Sequence, residues 1–503
     1  MFARVFRKES ENKQRKQPSK ERQMNSKVIK LLIAIVASLV VWCLPTDCFG
    51  IVGLTVIEHR VIALFVFAAL MWMLEAIPIW TTSVLVIVLM LLTVSDSQLI
   101  FLNDAVAGTD VFGTMISHKS IMASFADPIV MLFLGGFALA IAATKSGLDL
   151  NLARVMLKPF GTRSEVVLLG FMIVTAMFSM FMSNTATAAM MLTILAPVMA
   201  QLPKEGKGRI GLAMAIPIAA NVGGIGTPIG TPPNAIAIRY IQSVDEANLG
   251  LGIDFGQWMA VMVPFVIVIL GIAWFMLIKM FPFSQRHVSI KIDGTFHKDW
   301  RSIVVYVTFA VTVLLWVLGS VTGLNSNVVA LIPFAVFTIT GVIGKQELRE
   351  MNWDVLWLVA GGFALGTGLQ GSGLAKHLVE SIPFDQWPPL LVFAGSGLIC
   401  YLMSTFMSNT ASAALLIPIL ATVAKGMENV IEPFGGASTM LIGVALSASL
   451  AMALPISTPP NALAYSTGAI KQMDMVRTGL IIGVVGIVLG YLFLMFASNI
   501  GMI

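Results

Sequence analysis

The tripeptide Ser-Asn-Thr occurs twice, at Ser183-Asn184-Thr185 and Ser408-Asn409-Thr410, each time deep inside apolar sequence. Each copy is preceded by Gly-Gly-Phe-Ala-Leu, from Gly135 and from Gly361, and followed by Thr-Pro-Pro-Asn, at Thr231 to Asn234 and Thr458 to Asn461. The three offsets are 226, 225 and 227 residues, so one half of the chain repeats the other. A duplicated chain must build two corresponding halves, and the polar residues common to both are the candidates for its working site.

Those motifs lie in sequence that is 57% hydrophobic and 11% charged. Soluble domains carry about 25% charged residues. Apolar stretches of the ~20 residues needed to cross a bilayer recur along the chain, which defines an all-α polytopic membrane protein. A barrel is excluded, because barrel strands alternate in polarity and these segments do not. The net charge of +5 is local: residues 1–27 hold nine Lys or Arg and three Glu, which leaves −1 for the rest. This polar tail reads as a disordered cytoplasmic segment that helps set orientation. It has no cleavage site of a secretory signal, and no folded basic surface that would suit a nucleic acid. Of three cysteines, Cys43 and Cys48 flank Pro45 and Cys400 lies in an apolar run. They read as small hydrophobes, with a Cys43–Cys48 disulfide left open.

Cations give the topology. The first span, about 28–44, leaves the tail inside, and spans near 60–75 and 79–94 follow. A polar loop, 95–127, holds Asp96, Asp104 and Asp110, and the span 129–147 comes next. The apolar block 166–200 has Ser183-Asn184-Thr185 at its centre and three cations on each flank: Arg154, Lys158 and Arg163 before it, Lys204, Lys207 and Arg209 after it. Both ends read as cytoplasmic, so the block fits a re-entrant hairpin with its tip at membrane depth. Such irregular backbone is tolerated only away from lipid. The matching block 389–423, with Lys376 and Lys425 offset by Glu380, Asp385, Glu428 and Glu432, reads as an external hairpin. Five spans lie between the hairpins: an interrupted one at 208–242, then 257–281, 302–318, 327–343 and 353–372. The odd number requires the second repeat to be inverted. The basic loop 286–301 (Arg286, Lys291, Lys298, Arg301) falls inside, and the chain ends with an interrupted span 438–470, a turn with Lys471 and Arg477, and a last span 478–499. The expected organisation is a basic tail (1–27), a first span and external loop (28–59), repeat 1 (60–285) and repeat 2 (286–503), with about 11 transmembrane helices and two opposed re-entrant hairpins. The N-terminus is inside and the C-terminus outside, as for a multi-pass protein of the cell membrane.

Inverted repeats with helices broken at the midplane belong to secondary transporters, and the breaks mark the substrate and ion sites. Ser, Thr and Asn are preferred N-caps, and Pro is favoured in a first helical turn. Ser-Asn-Thr and Thr-Pro-Pro-Asn therefore read as four half-helix starts, whose N–H groups and dipoles together suit an anion. No Lys, Arg, Asp or Glu lies within 166–200, 211–238 or 389–423. An anion held there needs its charge offset by something that enters with it. Alkali cations on carbonyl, Asn and Ser oxygens meet that need. Gly366-x-Gly368-x-x-Gly371 matches a dinucleotide fingerprint but has no strand before it, and reads as close helix packing. Glu75 and Asp354 read as caps at span ends, and His59, His118, His287, His297 and His377 show neither metal-ligand spacing nor a catalytic pairing. With no nucleophile–base constellation and no sign of an organic cofactor, the chain reads as a non-enzyme.

These residues resemble the divalent anion:sodium symporter (DASS) family, which includes bacterial sodium-dependent dicarboxylate transporters. The match rests on the paired Ser-Asn-Thr and Thr-Pro-Pro-Asn motifs and covers 28–503. The resemblance implies a homodimer working as an elevator, in which a transport domain slides across the bilayer against a scaffold domain. Its implied substrates are four- to six-carbon di- and tricarboxylates, C4 acids such as succinate, malate and fumarate first. Carried over, Ser183, Asn184, Thr185, Ser408, Asn409 and Thr410 contact substrate carboxylates, and Thr231, Pro232, Thr458 and Pro459 line the same cavity. One sodium site takes Ser179, Asn184 and Gly230, the other Ser404, Asn409 and Ser457. Family members often have Thr or Ala where this chain has Ser404 and Ser457; a serine hydroxyl still ligates sodium. A sodium-independent dicarboxylate exchanger, or a channel or receptor on the same fold, stays open at this point.

Overall fold

The computed structural model describes residues 20–51, 53–102, 109–203, 206–244, 253–289, 299–381 and 387–503. The tail through residue 19, and Asp104, Lys204, Lys291, His297, Lys298 and Asp385, lie outside the described residues.

Among the described residues, nineteen helices of eight residues or more account for most of the fold. The first half holds α1 (Lys20–Cys43), α2 (Val56–Leu74), α3 (Ile79–Thr93), α4 (Pro128–Lys145), α5 (Leu148–Leu157), α6 (Ser164–Phe181), α7 (Asn184–Ala200), α8 (Lys207–Gly224), α9 (Pro232–Val244) and α10 (Phe255–Met280). The second half holds α11 (Trp300–Val317), α12 (Ser326–Ile339), α13 (Trp353–Gly371), α14 (Leu374–Ser381), α15 (Pro389–Phe406), α16 (Asn409–Gly426), α17 (Gly436–Leu450), α18 (Pro459–Ser466) and α19 (Gln472–Asn499). The described residues contain isolated bridges, Ser95 with Ile116 and Arg163 with His287, and no strand. Helix starts carry local signals. Thr55 and Glu58 form a capping box on α2, Asp127 caps α4 ahead of Pro128, and Asp254 and Gln257 box the start of α10. Glu75 closes α2 in the left-handed region (φ 47°), its N–H donating to Met71 O, as a cap should.

Among the described residues, nine helices are long and apolar enough to cross a membrane, and up to eleven if two bent pairs each count as one span. The agreement with the expected number is not one-to-one. Three of the expected hairpin arms, α6, α15 and α16, pass the length test, while α3 and α12 are short, at 15 and 14 residues. The described part of helix α1 begins at Lys20, so the helix already includes the eight residues before the expected first span (KERQMNSK), which contain no breaker. Cys43, Cys48 and Cys400 are free thiols, the first two exposed and the third buried.

Packing between the halves is reciprocal. Helix α3 packs on α13, and its repeat counterpart α12 packs on α4. The first glycine of each Gly-Gly-Phe motif lies at these two contacts. A Cβ on Gly135 would fall 1.9 Å from Ala330 O, and one on Gly361 would fall 2.4 Å from the Ser83 Cβ. Only glycine lets these backbones approach, which is why the motif occurs in both halves. Gly366 sits against the Tyr240 phenol, where a Cβ would be 1.6 Å from its oxygen, and Gly368 sits against Met90. The Gly-rich run is therefore a packing surface. The same crosswise pattern holds at the breaks: α7 packs on α18, and α16 packs on α9.

Candidate functional site

Both Ser-Asn-Thr motifs start helices, as their chemistry requires. Ser183 is the N-cap of α7 (φ −62°, ψ 139°) and its Oγ accepts the Ala186 N–H at 3.2 Å. Ser408 takes the same backbone conformation before α16 (φ −59°, ψ 131°) without a side-chain cap bond. Thr458 caps α18, its Oγ1 accepting the Asn461 N–H at 3.3 Å, with Pro459 and Pro460 in the first turn. Thr231 stands immediately before α9, which opens on Pro232. The asparagines that end the two Thr-Pro-Pro-Asn motifs hold the breaks open. Asn234 Nδ2 donates to Gly224 O at 2.9 Å and Thr227 O at 2.8 Å. Asn461 Nδ2 donates to Met452 O at 2.7 Å and Leu454 O at 3.0 Å. Each side chain thus satisfies carbonyls that the helix interruption leaves without partners.

The residues expected for the first cation site converge. Ser179 Oγ lies 2.6 Å from Asn184 Oδ1 and 2.7 Å from Ala220 O. One hydroxyl carries one hydrogen, so it serves one of these oxygens and leaves the other facing a lone pair. Gly230 joins them around Gly224, where the space of a missing Cβ would lie 2.7 Å from Asn184 Oδ1 and 3.1 Å from Gly230 O. The Asn184 Nδ2 lies 3.0 Å from the same point, so the Asn184 amide and the Gly230 carbonyl close tightly on Gly224. At the second site, Ser404 Oγ and Asn409 Oδ1 are buried and have no hydrogen-bond partner among the described residues. Ser457 Oγ sits 2.7 Å from Thr405 O. Buried polar atoms are seldom left unpaired without a reason, and a hard cation on oxygen ligands supplies one.

The rim is graded in exposure. Thr185 is exposed, and Ser183, Asn184, Ser408, Asn409 and Thr410 are half-buried, while Thr231 and Thr458 are buried. The two post-break helices also differ. Ala235, Ile236, Ala237, Ile238 and Tyr240 of α9 are buried, whereas Pro459, Ala462, Tyr465 and Ser466 of α18 are exposed.

Three features were not read from the sequence. Gly224 lies against Asn184 and Gly230; its only sequence signal is a Gly-Gly pair with no copy at the 227-residue offset, where Leu450 and Ala451 stand. Asn221, buried in α8, donates to Thr458 Oγ1 at 3.1 Å and Asn461 Oδ1 at 3.2 Å. Arg239, just past the uncharged stretch, pairs with Asp127 (Nε to Oδ2, 2.7 Å) and lies 4.3 Å over the Phe363 ring. The last two join segments that are far apart in sequence, so only a tertiary structure reveals them. Of the histidines, His377 donates or accepts at Nδ1 with the buried Glu58 (2.9 Å) and His118 pairs with Asp96 (2.7 Å), while no metal-binding cluster of His, Cys, Asp and Glu occurs among the described residues.

Apolar helices of spanning length, interrupted at paired polar breaks, define a multi-pass membrane protein. The chain belongs to the family of the sodium:sulfate symporter transmembrane region, whose pattern matches residues 25–502. It is 32% identical over 461 residues to a transporter of Haemophilus influenzae, covering 86% of this chain and 91% of that one. It is 31% identical over 462 residues to the sodium-dependent dicarboxylate transporter SdcS of Staphylococcus aureus, covering 83% and 82%. Two solved structures share its fold at low identity. The YdaH transporter of Alcanivorax borkumensis has TM-score 0.53 and 12% identity over 76% of this chain and 88% of that one. MtrF of Neisseria gonorrhoeae has TM-score 0.52 and 14% identity over 83% and 94%.

Proposed function

We propose that this protein is a sodium-coupled secondary transporter of C4 dicarboxylates such as succinate, malate and fumarate, working in the cell membrane by an elevator movement. The observation that carries the reading is the state of the two cation candidates. Ser179, Asn184 and Ala220 bring three oxygens together around one hydroxyl hydrogen, and Ser404 and Asn409 offer two buried oxygens without partners among the described residues. Both sets lie at half-helix starts that carry no fixed charge. A dianion bound at Ser183, Asn184, Thr185, Ser408, Asn409 and Thr410, lined by Thr231, Pro232, Thr458 and Pro459, then requires cations at Ser179, Asn184 and Gly230 and at Ser404, Asn409 and Ser457. The likeness to SdcS supports dicarboxylate and sodium as the pair.

The crosswise contacts of α3 with α13, α12 with α4, α7 with α18 and α16 with α9 support two halves of opposed orientation meeting at a shared site. On the cation-based topology, α18 runs toward the cytoplasm and α9 toward the outside. Exposed α18 and buried α9 then correspond to a site open to the cytoplasm. Homodimerisation, a cytoplasmic N-terminus and an external C-terminus belong to the same proposal.

The test is uptake of labelled succinate into proteoliposomes under an inward sodium gradient, with choline as the control, together with succinate counterflow. Uptake that needs sodium supports the symporter. Counterflow that is equal in sodium and choline refutes it and leaves the dicarboxylate exchanger, and flux without counterflow leaves a channel.

A further inference from the structure

We propose that Asn221 is a positioning residue, which holds the Thr458 hydroxyl as a fixed donor to one carboxylate of the substrate. The proposal rests on the reading of Thr458 as part of the substrate site, and adds a residue to which no role in that site has been given. Thr458 Oγ1 has two lone pairs and one hydrogen. One lone pair accepts the Asn461 N–H at 3.3 Å, the other accepts Asn221 Nδ2 at 3.1 Å. The hydroxyl hydrogen is then the only bonding capacity left, and it points away from both donors. Among the described residues it has no acceptor. A threonine hydroxyl ordinarily rotates between donating and accepting. Here two N–H groups remove the accepting orientations, and the hydroxyl is set in advance to donate to an anion.

The arrangement is built firmly. Asn221 is 2% exposed, Thr458 4% and Asn461 2%, so water does not compete for these bonds. Asn221 comes from α8 in the first half and its partners from the second, so one amide joins the helix before the first break to the start of the helix after the second. The second half has no equivalent. At the 227-residue offset that relates the Thr-Pro-Pro-Asn motifs, Asn221 corresponds to Ala448, which has no amide to offer Thr231. The two threonines of the site are thus inequivalent: Thr458 is a fixed donor, and Thr231 has a hydroxyl without this constraint. A symmetric dianion would be held unevenly, one carboxylate by a hydroxyl set in advance and the other by groups that adjust on binding.

Coupling between positions tests this, read as the KM for sodium-driven succinate uptake in proteoliposomes. Asn221→Leu and Thr458→Val should each raise KM about tenfold, the factor that 1.36 kcal/mol represents, with little change in maximal rate and in the sodium concentration for half-maximal uptake. The double variant should be no worse than Asn221→Leu alone, because Asn221 reaches the substrate through Thr458; its second bond, to Asn461 Oδ1, is lost in both of these variants and adds nothing to the difference between them. Thr458→Ser keeps the hydroxyl and should undo most of the KM increase of Thr458→Val. Asn221→Leu combined with Thr231→Val should instead be additive. Thermal unfolding in detergent establishes that each variant is folded, and Asn221→Ser, which is too short to reach Thr458, replaces Asn221→Leu if the latter is not. Additive effects of Asn221 and Thr458, or an unchanged KM in the Asn221 variants, overturn the proposal. Failure of the wild-type protein to carry succinate refutes the functional reading instead, and the same cycle is then run on the anion that counterflow identifies.

Discussion

Asn184 and Asn409 each sit where a half-helix begins and where the expected cation and anion meet. Asn184 Oδ1 is 2.6 Å from Ser179 Oγ, and Asn409 Oδ1 is buried without a partner among the described residues. One side chain serving two ligands couples them, and linkage makes the coupling mutual: sodium raises dicarboxylate affinity by the factor with which dicarboxylate raises sodium affinity. Asn184→Ala and Asn409→Ala should therefore reduce uptake by at least about tenfold, equivalent to losing one hydrogen bond to a charged group. They should also raise the sodium concentration needed for half-maximal succinate binding. Equilibrium binding at several sodium concentrations measures both; a loss of succinate affinity with unchanged sodium dependence would separate the two roles. Thr-Pro-Pro-Asn shows how far residue chemistry reaches from sequence alone. Its threonine and prolines were legible as a helix start, since capping is local. The bracing of the break by Asn234 and Asn461 was not, because the carbonyls they satisfy are set by where the previous helix stops.

Between elements, the contact that fastens α9 is the Asp127–Arg239 pair. Asp127 uses one oxygen to cap α4, accepting the Ile129 N–H at 2.9 Å, and the other to receive Arg239 Nε at 2.7 Å. The guanidinium also covers Phe363 of α13, and Tyr240 fills the notch at Gly366. In the elevator reading these contacts close the outer side, and they have no copy in repeat 2, where Ser466 stands at the 227-residue offset from Arg239. Arg239→Gln and Asp127→Asn should each cost about 1 kcal/mol of stability, the low end of the range for an unpaired group, because both side chains are half-buried. The double variant should cost less than the sum. Denaturation of the three variants in detergent gives the coupling directly, and a value near zero would mean that the pair is solvated.

A second contact joins the end of α4 to the short helix Lys345–Arg349. Glu347 accepts from Lys145 Nζ at the end of α4 and from the Gly344 N–H at 2.8 Å. The hydrogen bond from Lys145 is the main cause that lowers its carboxyl from the ordinary 4.5 to about 2. A carboxyl lowered on folding contributes stability above its unfolded value, and that contribution fades as pH falls toward its folded value. The stability difference between the wild-type protein and Glu347→Gln should thus be constant down to about pH 4.5 and decline below it, toward zero near pH 2. Melting curves between pH 7 and pH 3 follow it; a difference that does not change with pH would assign the effect to packing.

For the molecule as a whole, the unequal exposure of α9 and α18 makes a prediction about state. Ala462 is exposed on α18, while Ala235, its counterpart at the same offset, is fully buried on α9. In a background lacking Cys43, Cys48 and Cys400, Ala462→Cys should react with a membrane-impermeant maleimide from the cytoplasmic side. Ala235→Cys should react only when the protein is held open to the outside. Labelling of Ala462→Cys from outside in the same state would reverse the proposed topology. The tail is expected to be dispensable: the family pattern begins at residue 25, and α1 at Lys20. Deletion of residues 1–19 should leave uptake per inserted molecule unchanged, although removing six of the basic residues near the first span can lower insertion itself. Uptake normalised to surface-labelled protein tests this.

Duplication, membrane residence and helix starts were legible in the sequence, because each rests on short-range chemistry or on comparison of the chain with itself. Caps act over three residues, spans over about 20, and a repeat needs only a constant offset. The spans predicted at 60–75, 129–147, 257–281 and 353–372 accordingly fall on α2, α4, α10 and α13. What the tertiary structure decided is what joins distant residues. It shows that Gly135 and Gly361 admit the backbones of α12 and α3 and that Gly224 admits the Asn184 amide and the Gly230 carbonyl. It also shows that Asn221 reaches across the halves to Thr458 and that Arg239 finds Asp127. None of these contacts has a periodicity or a local signature. Each depends on two backbones being brought within a few ångströms, and that distance is set by the packing of the whole molecule.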